Sequence, residues 1–329
     1  MPESSLYPLS FKPIYKDKIW GGNKIKGILN KDVGDLPNCG ESWEISGVEG
    51  NISVVEQGNL KGKRLDEIIT DFDAELLGER VFSEFGEEFP LLIKFLDAND
   101  DLSIQVHPND ELALKRHNSK GKTEMWYIFQ ADEGSKLISG FNQKVDSKIF
   151  KEKVNSGKLM DILNQESAKA DDVFFLPAGR VHTIGKGLLL AEIQQTSDVT
   201  YRIYDFERVD SQGKKRELHI EDAIEAIDYS HQDSYKTEYD RLKNEVVNLV
   251  KCQHFTTNKL HFNKAVVRDY TNIDSFVIYI CMEGAGQISA DGITYSIGAG
   301  RCMLIPAAYK NMHLKPTPEF KMLECYIEL

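Results

Sequence analysis

Short apolar runs broken by clusters of Gly, Pro, Asn and Asp dominate the chain. The spacing predicts strands at Trp43–Ser46, Ile52–Val55, Leu102–Val106, Met125–Phe129, Val173–Leu176, Leu188–Gln194 and Thr200–Tyr204. Strands this short, set this close together, point to a barrel or a sandwich. Helical periodicity is rarer. Leu65–Phe72 and Asp73–Leu77 read as short helices, and Asp110–His117 as a helix whose first turn Asn109 or Asp110 can cap. Asp146–Asn164 carries Ile149, Val154, Leu159, Ile162 and Leu163 near the helical spacing of an amphipathic pair, and Ile220–Ile227 reads as a further helix.

From Ser230 to Lys243 the composition turns polar, which predicts a boundary between a domain over 1–238 and a smaller one over 239–329. Strands resume at Glu245–Cys252, Phe255–Phe262, Phe276–Met282, Gly286–Ala290, Ile293–Ile297 and Cys302–Ile305. Asp291-Gly292 suits a type I′ hairpin turn.

Composition narrows the classes of function. At 329 residues, with 41% hydrophobic and 28% charged residues, the chain has ample material for a core. A net charge of −12 argues against a general nucleic-acid binder or a cationic membrane-surface protein, but a local basic cluster can still hold a phosphate. Five scattered cysteines without CxxC spacing predict neither a disulfide framework nor a thiolate metal site, and fit a reducing cytoplasm. Met1 to Lys16 does not read as a signal peptide, and the longest apolar run, Phe276–Met282, is too short to span a bilayer.

The chemistry concentrates in three stretches. Gln105 and His107 lie two apart on a predicted strand, so their side chains leave the same face. Glu124 opens the next strand, and His182 follows a strand and a Pro-Gly turn. Two imidazoles, a carboxylate and a carboxamide oxygen form a borderline N/O set suited to Zn²⁺, and able to hold Fe²⁺, Mn²⁺ or Co²⁺. The absence of thiolates favours a catalytic site over a structural one. A lone strand histidine is most often an ordinary polar residue, and His117, His219, His231, His254, His261 and His313 are read that way.

Gln-x-His, then Glu at a strand start, then Pro-x-Gly-x-x-His resembles the paired motifs of cupins, which implies jelly-roll β-barrels. The likeness extends to type I mannose-6-phosphate isomerases through Ile19-Trp-Gly-Gly22, Glu41-Ser-Trp-Glu-Ile-Ser46 and Pro90-Leu-Leu-Ile-Lys-Phe-Leu-Asp-Ala98. It continues through Leu102–Pro108, Gly121-Lys-Thr-Glu124, Phe175–His182 and Ala191–Asp205. The Glu124–His182 spacing is too short for the helical insertion of the long eukaryotic forms, and Lys122-Thr123 replaces their Lys-Pro, so the chain resembles the short bacterial type.

This resemblance implies a mainly β protein of two cupin-like jelly-roll domains with a few short helices, the second lacking metal ligands. It implies one Zn²⁺ per subunit on Gln105, His107, Glu124 and His182, and Arg202 as an active-site residue. The implied reaction interconverts mannose 6-phosphate and fructose 6-phosphate through a cis-enediol. Lys122 is a potential proton carrier or phosphate ligand, Glu192 and Asp198 are potential bases or partners of the arginine, and Lys94 is too costly to bury without purpose. Gln194-Gln195 is expected to face sugar hydroxyls, and Trp20 to stack on the sugar or to pack in the core. A monomer or homodimer is expected. The competing readings are a cupin dioxygenase, since two His and a carboxylate can form an iron triad, and a sugar-phosphate-binding cupin without turnover.

Overall fold

The computed structural model describes residues 6–209 and 212–329; Met1–Ser5, where the segment read for a leader begins, lie outside them. The chain opens with β1 (Phe11–Lys12), β2 (Ile14–Gly22), β3 (Cys39–Ile45), β4 (Val54–Val55), β5 (Leu91–Ala98) and β6 (Ile104–Val106). It continues with β7 (Glu124–Ala131), β8 (Lys136–Phe141), β9 (Leu163–Ser167), β10 (Val173–Leu176), β11 (His182–Ile184), β12 (Leu188–Gln195), β13 (Tyr201–Tyr204) and β14 (Lys236–Thr237). The remaining strands are β15 (Val246–Lys251), β16 (Thr256–Phe262), β17 (Val266–Asp269), β18 (Val277–Ala290), β19 (Ile293–Gly298), β20 (Cys302–Ile305) and β21 (Asn311–Tyr326). The helices are α1 (Lys24–Gly27), α2 (Leu65–Leu77), α3 (Glu79–Phe85), α4 (Asp110–His117), α5 (Ser147–Asn155) and α6 (Ile220–Ala226).

The protein is mainly β, as the sequence predicts; β1 pairs with β4 alone, and the other strands fall into three large antiparallel sheets. One runs β14-β10-β7-β12-β5-β3-β2, and a second β13-β6-β11-β8-β9. The third runs β15-β16-β21-β18-β19, with β17 paired to β21 and β20 to β18. Every position of β5 and β12 is buried, because both faces of these central strands are covered. Leu91, Ile93 and Phe95 point into one core shared with Phe276, Ile278, Ile280, Leu304 and Leu323 of the third sheet. Leu96 and Ala98 point the other way, against Trp126, Leu137 and Ile184, where the first two sheets meet.

Local signals set several elements as predicted. Asn109 caps α4 by accepting from the Leu112 N–H at 2.9 Å. Asp291 (φ 47°) and Gly292 (φ 79°) make the left-handed pair a I′ turn requires. The two short helices expected over 65–77 are present, meeting at a kink where Asp73 (φ 41°) is non-helical. Other expectations change. Of the amphipathic helical pair predicted over 146–164, α5 stops at Asn155, Gly157 at φ 69° turns the chain, and the second piece is a single 3-10 turn at Leu159–Ile162 before Leu163 begins β9. Phe276–Met282 and Gly286–Ala290 join into the fourteen-residue β18, whose register shifts absorb the glycines. The sixteen-residue β21 contains Pro316 and Pro318, which break the strand pattern in sequence; it is held by partners on both flanks.

The third sheet buries a polar cluster of its own. Glu324 is fully buried and accepts from Arg268 Nε and Nη2 at 2.8 and 2.9 Å, from Tyr270 Oη at 2.5 Å and from Asn258 Nδ2 at 2.9 Å. His313, read from the sequence as an ordinary polar residue, lies exposed on β21. Breaking a buried ion pair by removing one partner typically costs about 3–5 kcal/mol. Glu324→Ala is therefore expected to lower urea-unfolding stability by about that amount, and Glu324→Gln by less. An unchanged midpoint for Glu324→Ala would show that the cluster contributes nothing to stability.

Candidate active site and metal centre

Strand register assembles the site. Across the first sheet Trp43 lies opposite Lys94, Lys94 opposite Glu192, and Glu192 opposite Trp126. One step along, Gln194 lies opposite Glu124. Across the second sheet Ser139 faces His182, His182 faces Gln105, and Gln105 faces Arg202. Directly opposed residues of antiparallel strands share a face. Each sheet thus presents a polar row to the other, and His107 joins them just beyond β6.

The structure brings the four sequence-predicted ligands together. His182 Nε2 is 3.3 Å from Glu124 Oε1, His107 Nε2 is 3.7 Å from Glu124 Oε2, and Gln105 Nε2 is 3.3 Å from His182 Nε2. His107, Glu124 and His182 form the one His/carboxylate group among the described residues whose ligand atoms could share an ion, all within 4.8 Å. His107 Nδ1 donates to the Val199 carbonyl at 2.9 Å and His182 Nδ1 to the Arg180 carbonyl at 2.8 Å. These bonds fix the tautomer that leaves both Nε2 lone pairs facing the centre, as backbone carbonyls commonly do for metal-bound histidines. Glu124 Oε1 is buried with no hydrogen-bond donor. An orphaned carboxylate oxygen beside two unprotonated imidazole nitrogens fits a divalent cation. Turning the Gln105 amide over adds its oxygen to the set.

A buried chain of alternating charge continues from this centre. Lys122 Nζ is 2.5 Å from Glu124 Oε2, 3.0 Å from His107 Nε2 and 3.9 Å from Glu192 Oε1. Glu192 also accepts from Trp126 Nε1 at 2.9 Å and pairs with Lys94 at 3.3 Å. The Lys94 ammonium sits 4.8 Å from the Trp43 ring centroid, and Trp43 Nε1 donates to Glu41 at 2.6 Å. Lys18 meets Glu41 at 3.1 Å near the surface.

These surroundings set the protonation states of the protein groups. Burial, reinforced by the Lys122 charge, pushes both histidines below the usual imidazole range, so they are neutral and able to ligate. Burial and the neighbouring Glu192 charge raise Glu124. Burial also disfavours the Glu192 carboxylate, but Lys122, Lys94 and the Trp126 N–H outweigh it and hold this group below its ordinary range. Lys122 is disfavoured by burial as well, yet Glu124 and Glu192 keep it firmly protonated.

Other predicted residues lie around this core. Arg202 is half-buried and donates from Nη1 to the Glu217 carbonyl at 3.0 Å, while its Nε is buried without a partner. Burial and the charges of Arg216 and Arg208 lower its pKa, with Asp205 opposing. Asp198 is exposed on the loop between β12 and β13, close enough to support the Lys122 charge. Trp20 sits in the apolar cluster with Leu96, Leu102 and Trp126. Gln195 binds the Thr123 N–H at 2.8 Å, and Gln194 Nε2 holds the Gln195 and Ser197 carbonyls, so both brace backbone.

Sequence reasoning assigned no role to Glu41, Trp43, Arg208 or Arg216. Arg208 Nη2 lies 2.6 Å and Arg216 Nε 2.7 Å from Asp205, which gathers three guanidinium groups at the end of the Gln105 row. The signal available was the density of basic residues after Asp205.

A family model described as the phosphomannose isomerase type I catalytic domain matches residues 9–134. A probable mannose-6-phosphate isomerase of Bacillus subtilis is 36% identical over 317 residues, covering 95% of this chain and 98% of that relative. A mannose-6-phosphate isomerase of Streptococcus mutans is 37% identical over 308 residues, covering 92% and 94% respectively. The crystal structure of the mannose 6-phosphate isomerase from Bacillus subtilis is similar at a TM-score of 0.87 and 31% identity, over 97% of this chain and 99% of that one. Likeness this high, over nearly the full length of both partners, makes the chain a member of the type I phosphomannose isomerase family.

Proposed function

We propose that the protein is a zinc-dependent isomerase that interconverts mannose 6-phosphate and fructose 6-phosphate. The observation that carries this reading is the convergence of His107, Glu124 and His182 around an orphaned carboxylate oxygen, beside buried Lys122, Lys94 and Glu192. Gln105 is the fourth ligand. The N/O donor set is the chemical ground for zinc, with Co²⁺ and Mn²⁺ as working substitutes. When bound, the ion polarises the sugar's oxygen atoms and offsets charge as the enediolate develops. The enzyme is proposed to act in the cytoplasm as a monomer or homodimer, with residues 239–329 forming a second, non-catalytic domain. No helix among the described residues is long and apolar enough to cross a membrane.

The protein groups supply positioning and proton movement. Glu192, held ionised by its neighbours, takes the proton from C2 of the open-chain aldose and returns one to C1. Lys122, which stays protonated, carries the hydroxyl proton between O2 and O1, so the isomerisation involves no net redox change. Arg202, permanently charged, stabilises the enediolate oxygen, and Arg208 and Arg216 provide the surplus positive charge that suits the phosphate. This concentration of fixed cations suits a strongly anionic sugar phosphate better than the small aromatic or thiol substrate of the dioxygenase reading. The buried Lys122–Glu192 pair disfavours a binding module without turnover, which gains nothing from a proton-handling pair.

Three measurements test the reading. In a coupled assay with mannose 6-phosphate, chelation should abolish activity, and Zn²⁺, Co²⁺ or Mn²⁺ should restore it; normal turnover by stripped protein would overturn the metal role. Arg202→Ala should reduce kcat by about 10²–10³-fold, the loss typical of a removed electrostatic stabiliser, with metal content unchanged. Full activity in that variant would remove Arg202 from the mechanism. Glu192→Gln should lower kcat by about 10²–10⁴-fold and stop exchange of the C2 proton with solvent deuterium. Persistent exchange would assign the base elsewhere.

A further inference from the structure

Arg202 lies on β13, the edge strand of the second sheet. Its Cα partner on β6 is Gln105. Unpaired N–H and C=O groups of an edge strand need other partners, and at Arg202 one residue supplies both. The Arg202 N–H donates to His219 Nδ1 at 3.2 Å, and the His219 N–H donates to the Arg202 carbonyl at 2.7 Å. Two residues earlier, the Glu217 carbonyl accepts from Arg202 Nη1 at 3.0 Å. Segment 217–219 therefore grips Arg202 at backbone and guanidinium together.

His219 also stands at the N-cap position of α6, where its side chain makes no capping hydrogen bond. Ser, Thr, Asp and Asn are the usual residues there. The imidazole instead turns toward the neighbouring strand, at a position whose ordinary helical task it leaves undone. The hydrogen bond the imidazole does make is the one it accepts from the Arg202 N–H.

We infer that His219 is a positioning residue for Arg202: it pairs both backbone groups of that residue, and so fixes where the guanidinium stands relative to Gln105 and the site. The inference rests on the role given to Arg202 above. Small misplacement of a catalytic group is costly, since a shift of about 1 Å can lose about 10²-fold in rate.

A double-mutant cycle on the zinc-loaded full-length enzyme tests this. His219→Leu removes the acceptor and should lower kcat by about ten-fold, with metal content unchanged and KM affected less. In an Arg202→Ala background the same change should cost under about two-fold more, because coupled residues are not additive. Equal losses in both backgrounds would overturn the inference. So would an unchanged kcat accompanied by a lower melting temperature, which would mark a merely structural contact. If His219→Leu does not fold, His219→Ala completes the same cycle. An Arg202→Ala variant with full activity would instead sink the arginine's role itself, and the two failures are distinguishable.

Discussion

Charges moved into a protein interior cost several kcal/mol each unless opposite charges meet them. That constraint organises the space between the first two sheets. Lys94, Lys122, Glu124 and Glu192 are all buried there, two positive and two negative, and each touches at least one opposite charge. The protein groups are thus balanced among themselves. A bound divalent cation adds two positive charges, and a phosphate monoester carries about −1.5 to −2 near neutrality. Ion and substrate can therefore enter together with little net change in charge, while Arg202, Arg208 and Arg216 work against Asp205 at the edge of the same row.

The surrounding fold makes this polar interior tolerable. β5 and β12 lie at the middle of a seven-stranded sheet, with Ile93, Phe95 and Ile193 buried in the core shared with the third sheet. Their opposite faces carry Lys94, Glu192 and Gln194 toward the site. One face thus gains stabilisation from burial of apolar surface, and the other holds the charged network. Within the third sheet, the equivalent need is met without a ligand: Glu324 is satisfied by Arg268, Tyr270 and Asn258 and leaves no oxygen orphaned. The first site, by contrast, leaves Glu124 Oε1 and Arg202 Nε without partners.

The sequence by itself determined what depends on nearest neighbours along the chain. Two-residue alternation put Gln105 and His107 on one face, a capping asparagine started α4 at Asp110, and Asp291-Gly292 closed a hairpin. The ordered motifs identified the family and singled out His107, Glu124 and His182, which the fold brings together. What only the tertiary structure decided depends on register and on edges. The helical pair predicted over 146–164 shortened to α5 and a 3-10 turn on either side of Gly157, and β21 formed across two prolines because flanking strands hold it. Trp43 and Glu41 entered the charge chain because β3 lies beside β5, and His219 met Arg202 because β13 is an edge whose backbone groups were left to be paired. Side-chain alternation is a property of one strand, whereas the identity of the residue lying opposite, and of the groups an edge leaves open, exists only once strands from distant parts of the chain have met.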